Sequence, residues 1–249
     1  MDLSVFNFYK DRVAFNFLAK DADNGKDVYD ALDGNAFIGV LSKQFKTVEE
    51  GVAYIKEFNK KVPQISVGLG AGDPNQWKAA RDIAGEVNPA HVNQVYTTAA
   101  YTQGYLRGKG CKNTIVNSLM SPTGTPGKVR IATGPVSSKL QDGVVDIDTA
   151  LSMMKDSGVN SVKFFDIHGD SCLEELKVVA EACARNGIQI IEPTGGITAE
   201  NIVSIVKVCL EAGVEKIIPH VYSSAVDKST GLTNIDIVKD IYEKIKKLI

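Results

Sequence analysis

One lysine stands inside a strongly apolar segment of the sequence. Lys163 lies in the run Ser-Val-Lys-Phe-Phe, whose residue types predict a buried β-strand. A charged amine is costly to bury without a partner, and burial favours the neutral form, which is a nucleophile. A neutral amine can attack a carbonyl carbon and form an imine, so this segment predicts Schiff-base chemistry. The residues alone also allow a lysine at the rim of a strand, with its ammonium group in solvent.

A second segment combines a strand end with two adjacent glycines. It is Glu192-Pro-Thr-Gly-Gly-Ile-Thr-Ala-Glu200, which is typical of a turn from a strand into a helix. Gly195 and Gly196 let the backbone approach a ligand closely, and the amino terminus of the following helix favours an anion. The segment predicts a phosphate site, with the structural alternative that the glycines only shape the turn.

These residues need a scaffold, and short β-rich runs alternate with longer segments of helical period along the chain. Strands are predicted over residues 13–18, 36–41, 65–69, 92–96, 114–119, 161–165, 189–191 and 216–221. Helices are predicted over residues 25–32, 48–59, 76–87, 99–107, 147–157, 172–186, 199–212 and 235–247. Residues 121–135 are dense in turn formers and predict a long loop with one short extra strand near 129–132.

Strand–helix alternation requires parallel strands, because each helical crossover returns the chain to the same end of the sheet. Eight such units in 249 residues predict an α/β fold, a (β/α)8 TIM barrel with eight parallel strands, in a single domain over residues 1–249. An open doubly wound sheet is the alternative. Phosphate sites in such barrels commonly follow strands seven and eight. The twin glycines follow strand seven, and Ser223 and Ser224 follow strand eight, so these two hydroxyls are further candidate donors to the anion.

The composition argues against several classes of protein. Hydrophobic residues make up 44% of the chain, and 28 Lys and Arg residues stand against 30 Asp and Glu residues. The net charge of −2 gives no basic excess, so we expect no nucleic-acid partner. The four cysteines are far apart and lack metal-ligand spacing, which predicts reduced thiols and no metal site. A signal-peptide pattern and a membrane-length apolar run are both missing, so we expect a cytoplasmic protein with no membrane partner.

Two motifs together resemble a known enzyme family. Lys163-Phe-Phe, followed about one helix and one strand later by Pro193-Thr-Gly-Gly-Ile197, is similar to the 2-keto-3-deoxy-6-phosphogluconate aldolases. Gly70-Ala-Gly72 looks like that family's Gly-Ala-Gly-Thr after strand three. The whole chain, with Val-Gly-Leu-Gly-Ala-Gly-Asp-Pro-Asn, His-Val-Asn-Gln and Ser-Pro-Thr-Gly-Thr-Pro-Gly, resembles a divergent branch that works in bacterial sugar-acid catabolism.

The resemblance implies roles for individual residues. Lys163 would form the Schiff base, and the Pro-Thr-Gly-Gly segment would hold phosphate. The better-known branch carries Glu and Arg on strand two, but strand two here has no Glu, and Lys43 is the candidate partner of the substrate carboxylate. Asp166 replaces the family's proline after Lys-Phe-Phe, and Asp73 replaces its threonine. The predicted substrate-binding residues are Lys43, Gly70, Gly72, Asp73, Thr194, Gly195, Gly196, Ser223 and Ser224.

The residue that transfers protons is harder to predict. Side chains alternate along a strand, so Glu192 shares the face of Thr194, which in the resembling family points into the site. Glu192 is therefore the first candidate, although it could instead form a structural ion pair with the reactive lysine, which would oppose nucleophilicity. His220 is the second candidate, because imidazole titrates near neutral pH. His91 opens strand four and is expected at the opposite, structural end of the barrel, and His168 is expected to be a solvated loop residue.

These inferences combine into an expected reaction. The resemblance implies reversible cleavage of a 2-keto-3-deoxy-6-phospho sugar acid to pyruvate and glyceraldehyde 3-phosphate, without a metal or organic cofactor, in a homo-oligomer. The alternatives are 4-hydroxy-2-oxoglutarate cleavage by the same imine, a metal-dependent aldolase or sugar-phosphate isomerase, and a barrel that only binds phosphosugars. Arg130 lies in the loop after strand five, which could be a lid or an interface, and it is expected to be solvated.

Overall fold

Eight parallel strands close into a barrel in the computed structural model, which describes residues 2–249. The barrel strands are β1 (Phe15–Leu18), β2 (Ala36–Leu41), β3 (Ile65–Gly68), β4 (His91–Val92), β5 (Ile115–Ser121), β8 (Ser161–Phe165), β9 (Ile190–Thr194) and a last strand in two pieces, β10 (Lys216–Ile217) and β11 (His220–Val221). The two remaining strands, β6 (Lys128–Ile131) and β7 (Gly143–Asp146), form a hairpin outside the barrel. Neighbouring strands are parallel, and β11 pairs with β1 to close the ring.

Helices surround this barrel and alternate with its strands. They are α1 (Ala22–Ala31), α2 (Val48–Asn59), α3 (Trp77–Val87), α4 (Tyr96–Gly108), α5 (Ile147–Asp156), α6 (Leu173–Asn186), α7 (Ile202–Glu211) and α8 (Ile235–Leu248). The sequence explains their bounds. Before α2, for example, the Thr47 side chain accepts a hydrogen bond from the amide of Glu50, and α6 ends at Gly187, whose φ is 69°. The predicted (β/α)8 barrel is confirmed.

The interior of the barrel is apolar at the amino-terminal ends of the strands. Phe37 of β2 packs edge-on against Phe6 and Phe8, with ring centroids 5.7 and 5.9 Å away. We call the residues that pack together here the apolar plug: Leu3, Phe6, Phe8, Ala14, Phe37, Ala90, Ile115, Ile190 and Ile218. The plug fills the barrel at the amino-terminal ends of the strands, opposite the carboxyl ends where such barrels hold their ligands.

Several strands differ from their predicted bounds, and strands four and seven show large differences. The fourth strand was expected over residues 92–96, but β4 ends at Val92 and α4 begins at Tyr96. Strand seven was expected to stop at residue 191, but β9 continues through Pro193 to Thr194. The last strand is interrupted beside that proline, since Ile217 pairs with Ile191 and His220 pairs with Thr194. Pro193 and Pro219 both fall in this interval, where neither has an N–H group to donate to a ladder.

The predicted long loop contains a hairpin. Strand β6 (Lys128–Ile131) matches the extra strand expected near residues 129–132, and its antiparallel partner β7 (Gly143–Asp146) was not predicted. The hairpin extends from the end of β5 and lies outside the closed barrel. Arg130 pairs there with Asp142, with 2.8 Å between Nε and Oδ2, and its side chain is 43% exposed.

None of the helices in residues 2–249 combines the length and the apolar character that a membrane crossing requires.

Candidate active site

A cavity of about 320 Å³ opens at the carboxyl ends of the barrel strands. Nine of the predicted site residues line it: Lys163, His220, Gly70, Gly72, Thr194, Gly195, Gly196, Ser223 and Ser224. Leu18, Leu41, Leu119 and Phe165 supply much of its apolar wall. The barrel therefore brings segments from distant parts of the chain into one pocket, as expected for the functional end of such a fold.

Lys163 lies on the floor of this cavity and is only 9% exposed. Its Nζ donates a hydrogen bond to Asn93 Oδ1 at 2.8 Å and lies 3.2 Å from His220 Nδ1. Within the described residues no carboxylate forms an ion pair with it, so the alternative of a structural pair with Glu192 is not found. Burial lowers the pKa of Lys163 to about 8, and the charge of Glu192 partly offsets this effect. The alternative of a rim lysine in solvent is also contradicted.

Glu192 is paired with Lys163 across the neighbouring strands β8 and β9, and it is completely buried. Its carboxylate accepts hydrogen bonds from His91 Nε2 at 3.0 Å, from Asn117 Nδ2 at 2.8 Å and from His220 Nε2 at 2.8 Å. The Ser161 hydroxyl donates a further bond to it. Burial opposes ionisation, but the interactions with the two histidines outweigh it and hold the pKa of Glu192 well below its usual range. Glu192 does not line the cavity, so its side chain does not reach the space where substrate would bind.

His220 connects Glu192 to the cavity. Burial, assisted by the charge of Lys163, lowers the pKa of His220 to about 3, so its imidazole is neutral at pH 7. A neutral imidazole donates from one nitrogen and accepts at the other. Because Nε2 faces the Glu192 carboxylate, the proton resides there, and Nδ1 is left as the acceptor. The Tyr222 hydroxyl lies 2.7 Å from Nδ1 and donates to it.

His91 agrees with its prediction in part. It opens β4 and does not line the cavity, as expected, but its Nε2 contacts the buried Glu192 carboxylate, which was not expected. Its Nδ1 lies 2.7 Å from Ser66 Oγ, and Phe37 of the apolar plug packs beside its ring. His91, the first residue of β4, therefore lies between the apolar plug and the buried Glu192 carboxylate. His168 agrees with its prediction, because its side chain is 72% exposed.

The twin-glycine turn forms one corner of the cavity. Gly195 has a φ of 105° and Gly196 a φ of 65°, which side chains rarely adopt. A Cβ on Gly195 would lie 1.8 Å from Asp166 Oδ1, and a Cβ on Gly196 would lie 2.5 Å from the Gly169 nitrogen. Both positions therefore require glycine. Ser224 borders the same corner, with its hydroxyl donating to the Ile197 carbonyl at 2.5 Å.

Besides Glu192, two predicted site residues do not line the cavity. Lys43 is exposed, and its stem lies against Gly70, where an added Cβ would meet Lys43 Cδ at 2.4 Å. Asp73 accepts hydrogen bonds from the backbone and side-chain nitrogens of Asn75, both at 2.9 Å, and so caps a short helical turn. These local contacts account for both side chains without a substrate.

The group of His91, Glu192 and His220 also has the residue types of a metal site. In the described chain their ligand atoms all lie within 4.8 Å of one another. The Nε2 atom of each histidine is at hydrogen-bond distance from the carboxylate, and Ser161 and Asn117 donate to the same carboxylate. The cluster is thus complete as a hydrogen-bonded network, and the predicted lack of a metal remains a prediction.

Sequence reasoning missed the polar residues that complete this interior: Ser66, Asn93, Asn117, Ser161 and Tyr222. One signal was available for Asn93 and Asn117. Both fall inside predicted strands, over residues 92–96 and 114–119, where a polar side chain on the inward face is unusual for a buried strand. Alternation from His91 predicts that Asn93 shares its face. The local sequence pattern does not show which strands meet around the lysine, because that depends on how the barrel closes.

Comparison with known proteins identifies relatives of this chain. The model of the KDGP aldolase family matches residues 9–229. The 2-dehydro-3-deoxy-phosphogluconate aldolase of Salmonella typhimurium (strain 14028s / SGSC 2262) is 49% identical over 247 residues, which cover 99% of this chain and 100% of the relative.

Solved structures with low identity share the fold. A mutant tryptophan synthase α-subunit from Pyrococcus furiosus has a TM-score of 0.57 at 17% identity, covering 97% of this chain and 99% of that chain. Thiamine phosphate pyrophosphorylase from Pyrococcus furiosus has a TM-score of 0.56 at 11% identity, covering 96% and 98% of the two chains. At these identities the likeness concerns architecture alone, whereas the family match and the Salmonella relative span nearly the whole sequence. This chain belongs to the KDGP aldolase family.

Proposed function

We propose that this protein cleaves 2-keto-3-deoxy-6-phosphogluconate to pyruvate and glyceraldehyde 3-phosphate through an imine on Lys163. Membership of the family makes the chain an aldolase, which is a carbon–carbon lyase. The substrate named for the Salmonella relative supports the choice of substrate, because the identity extends over nearly the full length. The observation that carries the imine is the buried amine of Lys163, which faces the cavity and has a pKa of about 8.

The proposed reaction begins with a neutral amine. With a pKa of about 8, roughly one Lys163 side chain in ten is neutral at pH 7. That amine attacks the C2 keto carbon, and loss of water leaves an iminium ion. Removal of the C4 hydroxyl proton then breaks the C3–C4 bond, and the electron pair moves through C3 to the iminium nitrogen, which gives an enamine. Protonation at C3 and hydrolysis release pyruvate and restore the lysine.

The twin-glycine corner is the proposed phosphate site. Gly195 and Gly196 bring the backbone to the cavity wall, and Ser223 and Ser224 place hydroxyl groups beside it. Backbone N–H groups ahead of a helix favour an anion, and α7 follows this turn. The corner and Lys163 line the same cavity, as a substrate with a keto group at one end and a phosphate at the other requires. Thr194, between them, is the proposed contact for the middle of the substrate.

Trapping with borohydride tests the proposed imine. Incubation with pyruvate and sodium borohydride should attach a reduced pyruvyl group, which peptide mass spectrometry should locate on Lys163. The Lys163→Met variant should give no adduct. Lys216→Met is a matched control, because Lys216 is also a buried strand lysine but lies outside the cavity, and its adduct should match that of the wild type.

Two results would contradict the proposal. One is a folded wild-type protein that gives no adduct, and the other is Lys163→Met with undiminished cleavage. Loss of cleavage after dialysis against EDTA, reversed by a divalent cation, would favour the metal-dependent alternative. Turnover of 4-hydroxy-2-oxoglutarate at the rate of the phosphorylated substrate would contradict the phosphate assignment. The expected homo-oligomer and cytoplasmic location stay predictions.

A further inference from the structure

A row of three hydrogen-bonded side chains leads from the buried layer into the cavity. The Glu192 carboxylate accepts from His220 Nε2 at 2.8 Å, and His220 Nδ1 accepts from the Tyr222 hydroxyl at 2.7 Å. Glu192 is wholly enclosed, whereas His220 and Tyr222 line the cavity. The Tyr222 ring lies 5.5 Å from Lys163 Nζ. The hydroxyl at the end of this row is therefore beside the amine on which the substrate would react.

We propose that Glu192, His220 and Tyr222 form a proton relay whose terminal group, the Tyr222 hydroxyl, exchanges protons with the substrate. The inference rests on the proposed imine and names the proton-transferring group that this imine needs. The order of groups is that of an activated hydroxyl: a carboxylate orients an imidazole, and the imidazole accepts the hydroxyl proton. In this row Glu192 is a positioning residue, which fixes the His220 proton on Nε2 and leaves Nδ1 facing the phenol.

Several of the other polar groups that line the cavity are already engaged in hydrogen bonds. Glu192 does not reach the cavity, and both nitrogens of His220 are used by Glu192 and Tyr222. The Thr194 hydroxyl donates to the Glu192 carbonyl at 3.1 Å, and the Ser224 hydroxyl donates to the Ile197 carbonyl. The phenol oxygen of Tyr222 keeps an acceptor position open while its own proton points to an acceptor. It can therefore take a substrate proton and pass its own proton on.

The relay balances the cleavage step. The C4 hydroxyl proton moves to the Tyr222 oxygen while the Tyr222 proton moves to His220 Nδ1, so His220 becomes an imidazolium. The C3–C4 bond breaks, the C4 oxygen becomes the aldehyde oxygen, and the electron pair neutralises the iminium nitrogen on Lys163. In the next step the proton returns from Nδ1 through the Tyr222 oxygen to C3, which restores His220 and leaves the pyruvate iminium.

Protonation of His220 during cleavage leaves the net charge of the buried cluster unchanged. Before cleavage, the buried cluster holds a positive iminium nitrogen, a neutral His220 and a negative Glu192. After cleavage, the nitrogen is neutral and His220 is positive, so the net charge does not change. Burial is the main cause that disfavours protonation of His220, and the positive charge on Lys163 adds to it; this added effect disappears as the enamine forms. Glu192, 2.8 Å from Nε2, stabilises the imidazolium that results.

The test separates imine formation from proton transfer. Tyr222→Phe keeps the ring and removes the hydroxyl. We expect it to trap pyruvate with borohydride as the wild type does, while cleavage and the exchange of pyruvate C3 protons in D2O both fall by about 10²–10⁴-fold. NMR measures the exchange. Tyr96→Phe is the matched control, because its hydroxyl donates to the Ala150 carbonyl at 2.9 Å outside the cavity, so both rates should stay at the wild-type level.

Each outcome decides between the claims. If folded Tyr222→Phe cleaves substrate and exchanges pyruvate protons at wild-type rates, the relay is wrong and the imine proposal stands. If it loses the borohydride adduct although its melting temperature is unchanged, the hydroxyl acts before imine formation and the relay is overturned as well. If the wild type forms no adduct, the proposed function itself fails. The expected combination is a retained adduct with both proton-transfer rates lost.

Discussion

Two lysines are buried in strands of the same barrel, and their surroundings differ. Lys163 is 9% exposed and Lys216 is 4% exposed. Lys216 opens β10, and its Nζ lies 2.6 Å from Asp11 Oδ1 and 5.5 Å from the centre of the Phe8 ring in the apolar plug. Lys163 lies at the other end of the interior, with an amide oxygen and an imidazole nitrogen as its neighbours.

Burial alone therefore does not produce a reactive amine. Lys216 has a carboxylate partner, Asp11, within ion-pair distance. Neutral partners leave the cost of burial largely uncompensated, so the amine of Lys163 loses its proton more readily. A carboxylate is present nearby, but Glu192 is occupied by four other donors and does not pair with Lys163 directly. The interior thus keeps a negative charge close to the lysine without forming an ion pair.

The largest expected effect is on turnover. Lys163→Met should lower kcat by about four orders of magnitude or more, because the residue that would form the covalent intermediate is lost. Lys216→Met should leave kcat and KM near the wild-type values, because its amine lies outside the cavity. A coupled assay for pyruvate release measures both variants. Comparable losses in the two variants would mean that a general property of buried lysines, and not the position of Lys163, supports turnover.

The same pair shows what the sequence could and could not predict. The bounds of β2, α2 and β8 agree with their predictions, because each combines clear periodicity with a cap or turn signal. Lys163 was recognised because a charged residue interrupts an apolar strand. Lys216 begins a comparable apolar run, Lys-Ile-Ile, and was not recognised as buried. What separates the two lysines is the partner of each, and Asp11 lies 205 residues away in sequence from the amine it binds.

The polar layer around Lys163 was unpredictable for a similar reason. Glu192 and His220 were predicted as site residues from their place at strand ends, but their hydrogen bonds to each other depend on the closure of the barrel. His91 was predicted to open strand four, which it does, but its hydrogen bond to Glu192 was missed, because the two residues lie 101 positions apart in sequence. The local pattern gives a side chain's face, whereas its height in the barrel depends on the stagger between strands.

The next largest effect concerns Glu192. Replacing it with leucine removes the carboxylate and leaves four buried donors without an acceptor, so Glu192→Leu should reduce the free energy of unfolding by about 3–5 kcal/mol. Glu192→Gln should lose less, because it keeps the shape and one acceptor oxygen. Urea unfolding followed by circular dichroism measures both variants. Equal stability of Glu192→Leu and the wild type would show that the network does not hold the interior together.

The pH dependence of imine formation should give a tenfold effect. The pKa of Lys163 is lowered from 10.5 to about 8, so its neutral, reactive fraction grows as the pH rises through 8. The rate of pyruvate adduct formation should increase by about tenfold between pH 7 and pH 9 and then level off. Among the groups around the amine, Asn93 does not titrate, His220 and Tyr222 stay neutral over this range, and Glu192 stays ionised. A rate that is flat from pH 7 to pH 9 would contradict the lowered pKa.

The smallest effect is on stability, and its sign should differ between the two lysines. At pH 7 most Lys163 side chains are charged, and burial of that charge destabilises the folded protein. Lys163→Met should therefore raise the free energy of unfolding by about 1 kcal/mol. Lys216→Met should lower it by about the same amount, because the Asp11 contacts are lost. Thermal unfolding at pH 7 measures both.

The pH dependence of this last effect identifies its cause. Between pH 8 and pH 10.5 the unfolded chain binds the Lys163 proton more tightly than the folded chain does, so wild-type stability rises with pH in that window. Lys163→Met lacks this group, and its advantage over the wild type should therefore shrink as the pH rises from 8 to 10. An advantage that stays constant with pH would assign the gain to better apolar packing of methionine. In that case the cost of the buried charge would no longer separate Lys163 from Lys216.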